Sequence, residues 1–346
     1  MNILKTFFVM VVLLTSTTTV QAQLTIDLDY SLDSNNFFGS AGSSQRLALE
    51  AARDVFEETI TQSFNAITPG EVFNTGTDDE FTNTWTANFI HPGTGNPIAI
   101  TDRSIAADTI VIYVGGRELG GSTLGEAGPG GFTSSGIGSF IDSVVRGNSS
   151  ETFATWGGAA SFDSVDTVWN FDLAGPVAGE NDFYSVALHE LAHVLGLAVP
   201  SDAFDDHFIP GTDPTADENP GTNGQFTGAN ALAAYNADNG LSETFVPLVA
   251  EMLDDPGTPL VDETSFEDRH FAEGLTSNIF GTTTLQEALL DPTLTLGTRK
   301  ELTNVDVGAL LDIGFELRAT AIPEPASATM IVLAVVAIST RRRRPA

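Results

Sequence analysis

Two of the five histidines in this chain of 346 residues stand four positions apart, with a glutamate after the first: Ser185-Val186-Ala187-Leu188-His189-Glu190-Leu191-Ala192-His193-Val194-Leu195-Gly196. On a helix, positions i and i+4 share one face about a turn apart, so both imidazoles can reach a single cation. Glu190 projects beside them, placed to take a proton from a water on that cation instead of ligating it. Neutral imidazole suits Zn²⁺, which needs no redox chemistry, polarises a carbonyl and lowers the pKa of a bound water toward about 7. The apolar residues around the pair follow helical spacing and stop at a glycine, the context this chemistry requires. A chance match of this pattern is a poor explanation in a chain with so few histidines.

A catalytic zinc site needs a third protein ligand and an open position. The remaining histidines are His91, His207 and His270. His91 lies beside Pro92-Gly93 in a turn-like setting and reads as a surface histidine. His207 follows Asp205-Asp206 in an acidic stretch, where a solvated imidazole is the commoner outcome. Cysteine is absent, so thiolate ligands and disulfides are both excluded, and a carboxylate such as Glu218 is the other donor type to weigh.

His189 to Gly196 resembles the active helix of the metzincin peptidases, in which a glycine after the second histidine turns the chain back toward the metal. The compact form of that site has its third histidine at the position of Val199, so the matrixin arrangement is not preserved. The leishmanolysin branch, where a long insertion precedes a distant third histidine, is the better resemblance: Arg269-His270-Phe271 lies far beyond Gly196. Glu287-Ala288-Leu289-Leu290-Asp291-Pro292 resembles the family's Met-turn, with Leu290 where methionine is expected; Met252 is no substitute by position. Thr123 to Pro129 is similar to the loop before the substrate-flanking edge strand of matrixins, and Ser161-Phe162-Asp163 with Trp169 to the strand region after it. The resemblance implies His270 as third zinc ligand; from the residues themselves His207 and Glu218 stay as alternatives. It also implies a zincin-like, two-lobed α+β domain with a mixed twisted sheet, an active-site helix and an irregular C-terminal lobe.

The elements that must position these residues are partly legible. Leu24 to Leu32 alternates apolar and polar residues, as a half-buried strand does. A helix capped at Ser43 or Ser44 follows, with Leu49, Ala52, Phe56, Ile60 and Phe64 on one stripe that stops before Pro69-Gly70. Thr109 to Val114 reads as a buried strand ending at Gly115-Gly116, Gly120 to Gly131 as loop, and Phe153 to Phe171 as two edge strands. The order is that of an α+β domain. Asp202 to Pro259 reads as acidic insertion or lid, with one helical run from Gly228 to Tyr235. Val305, Ala309, Leu310 and Ile313 lie on one side of a closing helix.

Both ends read as sorting signals. Residues 1–22 have Lys5, an apolar run from Phe7 to Leu14 and Val20-Gln21-Ala22, the order of a cleavable secretory leader. Eight apolar residues span about 12 Å, too short for an anchor. Pro323-Glu324-Pro325, an apolar stretch and Arg341 to Arg344 read either as an ordinary tail anchor or, by resemblance, as the PEP-CTERM sorting tail of Gram-negative bacteria; the resemblance, which is preferred, implies removal by an exosortase-like enzyme. Transient anchoring and then export, without stable membrane insertion, is the expectation. The divisions are 1–22 leader, 23–200 N-terminal lobe with the active helix, 201–262 acidic insertion, 263–320 C-terminal lobe and 321–346 tail.

Without both ends, the 14 basic side chains fall by five and the 46 acidic by one, so the body carries −36. That field repels nucleic acid and anionic membranes. It suits a secreted protein and leaves room for Ca²⁺ at a site composition does not place. The expected activity is zinc-dependent hydrolysis of a protein or peptide substrate with Glu190 as general base. The alternatives are a non-catalytic surface or matrix protein that keeps the fold, and a zinc hydrolase acting on something other than peptides.

Overall fold

Thr25–Asp29 is a strand with Ile26 and Leu28 buried and Thr25 and Asp27 facing outward, the two-residue period of a half-buried strand. It ends before Leu32 because Tyr30–Leu32 winds into a 3₁₀ turn capped by Asp29, whose carboxylate accepts from the Ser31 amide. The computed structural model describes residues 24–74, 80–147, 155–210, 224–249 and 269–318. The expected leader and tail, Glu218 and Met252 lie outside the described residues.

Ser43 caps the opening helix, Ser44–Thr59, by accepting from the Arg46 amide. Leu49, Ala52 and Phe56 form the buried stripe. Ile60 and Phe64 are also buried, but from beyond the helix, which is shorter than its apolar spacing suggests. The Thr59 hydroxyl donates back to the Val55 carbonyl, and Ile60 forms an antiparallel bridge with Leu317. β-Branched residues and a partner from the far end of the chain stop the helix there.

The main sheet runs in the order Thr25–Asp29, Thr109–Arg117, Gly157–Asp163, Gly125–Pro129. The first three strands are parallel and the fourth is antiparallel. Three expectations are corrected here. Thr109–Arg117 runs through Gly115-Gly116, because the missing side chain at Gly116 lets the strand pass beneath Phe37; a Cβ there would lie 2.3 Å from that of Phe37. Gly125–Pro129, expected within a loop, is the sheet's edge strand. Gly157–Asp163, expected at an edge, is an interior strand, concealed by its small residues Gly157, Gly158, Ala159 and Ala160.

A second, antiparallel sheet of Pro97–Thr101, Thr84–Ile90 and Gly131–Ser135 covers its own apolar cluster, which includes Trp85, Tyr113, Phe140 and Trp156. Toward the C-terminus, helices Ala229–Asn239 and Asn304–Asp312 pack together. Val305, Ala309, Leu310 and Ile313 are buried, in line with their periodicity.

The stretch read as an acidic insertion or lid is built into the core where it is described. Phe204, Phe226, Val246 and Leu248 are buried in one cluster with Phe183, Leu188 and Leu310. The acidic residues around them masked these anchors, of which Phe204 and Phe226 have ring centroids 4.9 Å apart. Six α-helices and several small sheets among the described residues make the structure mixed α and β, compatible with an α+β class. No helix among them is long and apolar enough to cross a membrane.

Candidate metal centre

The motif occupies the helix Phe183–Val194, every residue of which is buried except His189, itself half-buried. Such a helix is held by packing on all sides; here its neighbours include the opening helix and the edge strand. Its N-terminus is pinned by the fully buried Asp182, which accepts from the Ser185 amide and hydroxyl. Arg299 donates to both oxygens of the same carboxylate, at 2.7 and 3.0 Å. An anion at a helix N-terminus is favourable, and the forked guanidinium offsets the cost of burying it.

At the other end, Gly196 adopts φ of +92°, a left-handed conformation that side chains resist. The Leu197 amide then bonds the Ala192 carbonyl, and the reversal carries the Leu197 carbonyl to His193 Nδ1 at 2.9 Å. Val199 is fully buried just beyond this turn.

His270 reaches the motif from far along the chain. The Leu248–Phe271 bridge and a bond from the Phe271 amide to the Leu290 carbonyl set its backbone. The preceding Arg269 lies 4.6 Å over the Phe208 ring and pairs with Asp205. His270 Nε2 is 3.1 Å from Nε2 of both His189 and His193.

These distances bear on what the group can hold. His189 Nδ1 donates to the Leu289 carbonyl at 2.8 Å, and His193 Nδ1 to that of Leu197. In the neutral rings the Nε2 atoms are then bare lone pairs. His270 Nε2 lies 3.1 Å from each of those lone pairs; one N–H on it serves a single partner, whereas a cation between the three nitrogens serves all of them. Nitrogens bound tetrahedrally at about 2.05 Å stand roughly 3.3 Å apart, close to the spacing seen. The three histidines therefore form a group that could hold a metal ion.

Electrostatics favour the metal-ready form. Burial, with His193 and His270 close by, holds His189 well below the ordinary imidazole value. Burial brings His193 down to about 4, against its bond to Leu197. Neutral rings are what a metal ligand requires.

The turn Glu287-Pro292 lies at the base of this centre. Besides the Leu289 carbonyl on His189, it contributes the buried Leu290. Asp306 accepts from the amides of Leu289 and Leu290 at 3.0 and 3.2 Å, and Lys300 pairs with Asp291 at 3.1 Å. Leu290 fills the core as an apolar side chain of methionine's approximate volume can.

Glu190 is buried beside the histidines, and its Oε2 has no hydrogen-bond partner among the described residues. Burial, with the charge of Glu126 added, pushes its carboxyl well above the ordinary value. The edge strand faces it through Gly125, where a Cβ would lie 2.4 Å from Glu190 Oε1.

His207 is not part of the group. Its Nε2 donates to the Asp312 carbonyl at 2.9 Å and its ring lies 5.6 Å from that of Phe226, so it is a half-buried tie, not the solvated side chain its acidic neighbours suggested. His91 sits in its turn and accepts from the Gly93 amide at 3.1 Å. Among the described residues no second cluster of His, Asp and Glu places the Ca²⁺ that composition allows.

Sequence reasoning missed Asp182, Arg299, Asp306 and Gly125. Thr303-x-x-Asp306 has the spacing of a capping box and could have been found. Asp182 and Arg299 are 117 positions apart and carry no local signal. No protein-family model matches the chain, and comparison with curated proteins finds no match either.

Proposed function

We propose that this chain is an exported zinc-dependent endopeptidase of zincin-like, two-lobed architecture, resembling the leishmanolysin branch of the metzincins. In this reading His189, His193 and His270 hold the zinc and Glu190 is the general base. The supporting observation is the convergence of three Nε2 atoms beside a buried carboxylate with an unpartnered oxygen. A donor set of imidazoles alone, with no thiolate, suits zinc. When bound, the metal supplies Lewis acidity toward a scissile carbonyl and toward a water molecule.

The chain's own residues do the rest. Glu190, the carboxylate beside the histidines, would take a proton from the attacking water and hand it to the leaving amine. His189 and His193 are kept in the Nδ1–H form by two backbone carbonyls. The outer side of Gly125–Pro129 has no strand neighbour among the described residues, so an extended peptide can pair there by backbone hydrogen bonds. A secretory leader at 1–22 and a tail removed by an exosortase-like enzyme complete the reading, with a location outside the cell or on its surface.

Zinc content and casein digestion, measured for the purified protein and Glu190→Gln, test it. The expectation is one zinc per chain in both, with cleavage reduced on the order of 10²–10⁴-fold in the variant. Equal cleavage by both proteins removes the catalytic assignment. Zinc without cleavage leaves the non-catalytic surface-protein reading, and cleavage of ester but not peptide substrates leaves the other hydrolase.

A further inference from the structure

Asp306 is fully buried, and its two carboxylate oxygens have different surroundings. Oδ2 accepts from the Thr303 amide at 2.9 Å, the Thr303 hydroxyl at 2.5 Å and the Leu289 amide at 3.0 Å. That oxygen alone completes the cap of the helix Asn304–Asp312. Oδ1 accepts from the Leu290 amide at 3.2 Å. The Leu290 N–H and the Leu289 C=O belong to one peptide group, and that carbonyl accepts from His189 Nδ1 at 2.8 Å.

We infer that Asp306 is a positioning residue for the metal centre, acting on His189 through the Leu289–Leu290 peptide group; the inference rests on the zinc reading above. A metal-ligating histidine ordinarily gives its second N–H to a carboxylate or to a backbone carbonyl, which fixes the ring and raises its basicity. Here the two partners stand in series. A peptide whose N–H is bonded to an anion carries more negative charge on its oxygen, because hydrogen bonds in a chain polarise one another. The Leu289 carbonyl thereby becomes a stronger acceptor for the His189 proton, and Nε2 a stronger donor to the ion. The same carboxylate holds both amides of the turn, so it also fixes where that carbonyl points. A helix cap needs only Oδ2; the placement of Oδ1 on the peptide behind a metal ligand is what a cap alone does not explain.

The two oxygens can be separated by mutation. Asp306→Asn keeps its amide oxygen where three donors converge and loses the bond to Leu290. Zinc affinity, measured by competition with a chromophoric chelator, is expected to fall on the order of 10-fold or more, and the visible spectrum of the Co²⁺-substituted protein to shift. Thr303→Ala weakens the cap and spares Oδ1; it is expected to lower Tm and leave affinity and spectrum as they were. Unchanged affinity in Asp306→Asn, or equal losses in both variants, would reduce Asp306 to a helix cap. Should Asp306→Asn not fold, the isotopically labelled wild-type protein decides: the Leu290 amide proton resonance moves on zinc loading more than that of Leu289. A Leu290 resonance that stays in place overturns the inference. A protein that takes up no zinc at all removes the metal reading and this inference together, whereas tight zinc binding unaffected by Asp306→Asn removes the inference alone.

Discussion

A β-carbon on Gly125 would stand 2.4 Å from Oε1 of Glu190, so the edge strand and the buried carboxylate share a space that only glycine leaves open. The strand on which a substrate is proposed to lie thus abuts, at Gly125, the group proposed to move the proton. Gly125→Ala is expected to push the carboxylate aside by about 1 Å. The displacement should cost on the order of 10²-fold in kcat, since catalytic groups tolerate little misplacement. Zinc content should not change. Steady-state kinetics alongside metal analysis check both halves, and wild-type turnover in the alanine variant would show that Glu190 has slack.

Removing His270 and removing His207 should have opposite consequences. His270→Ala deletes one of three converging nitrogens and is expected to weaken zinc binding by more than the roughly 10–100-fold typical of losing a ligand's outer partner. His207→Ala loses a bond to the Asp312 carbonyl and should cost about 1 kcal/mol of stability with metal affinity intact. Chelator competition and urea unfolding of both variants give the answer; metal loss confined to the His207 variant would reverse the assignment.

Arg299→Leu should be among the most damaging changes remote from the histidines. It would leave the Asp182 carboxylate, which has no solvent exposure, without its two guanidinium bonds. An uncompensated buried charge costs about 3–5 kcal/mol. Asp182→Asn in the same background should recover part of the loss, because it removes the stranded charge. Urea midpoints for the single and double variants test the coupling, and additive losses would speak against it.

In the chelated protein, His193 should contribute a loss of stability as pH falls from about 6.5 toward about 4. In that window the unfolded chain binds protons on His193 while the folded ring, brought down to about 4 by burial, does not. The unfolded state then holds more protons, so stability rises with pH and is lost on acidification. His189, also held low by burial, adds in the same direction. The loss attributable to His193 is roughly 3 kcal/mol across the window. Glu190, pushed up by burial, acts in the opposite sense over this window, so thermal unfolding against pH is compared between wild type and His193→Gln; a stability difference between the two that does not change with pH would contradict the assignment.

Much of the local structure was legible before any coordinates. His189, Glu190 and His193 could be placed on one helical face because the helix repeat relates residues four apart. The turn at Gly196, the Ser43 cap and the buried alternation of Ile26 and Leu28 were legible for the same reason. Each depends on backbone geometry within a few residues. Gly125–Pro129 reads as loop and Gly157–Asp163 as an edge because their glycines and alanines give no apolar pattern; the burial of Gly157–Asp163 comes from the strands on either side of it.

By itself, then, the sequence determined the short-range half of the site: two imidazoles and a carboxylate presented together, with a reversal just after them. Only the tertiary structure decided which distant histidine joins them, that Gly125 gives Glu190 its room, and that Asp182 is held by Arg299 and His189 backed by the Leu289 turn. The physical reason is one of range. Propensity, capping and periodicity act over a turn or two of chain. The meeting of residues separated by 65 to 117 positions follows from burying one shared apolar core, and that energy belongs to no single segment.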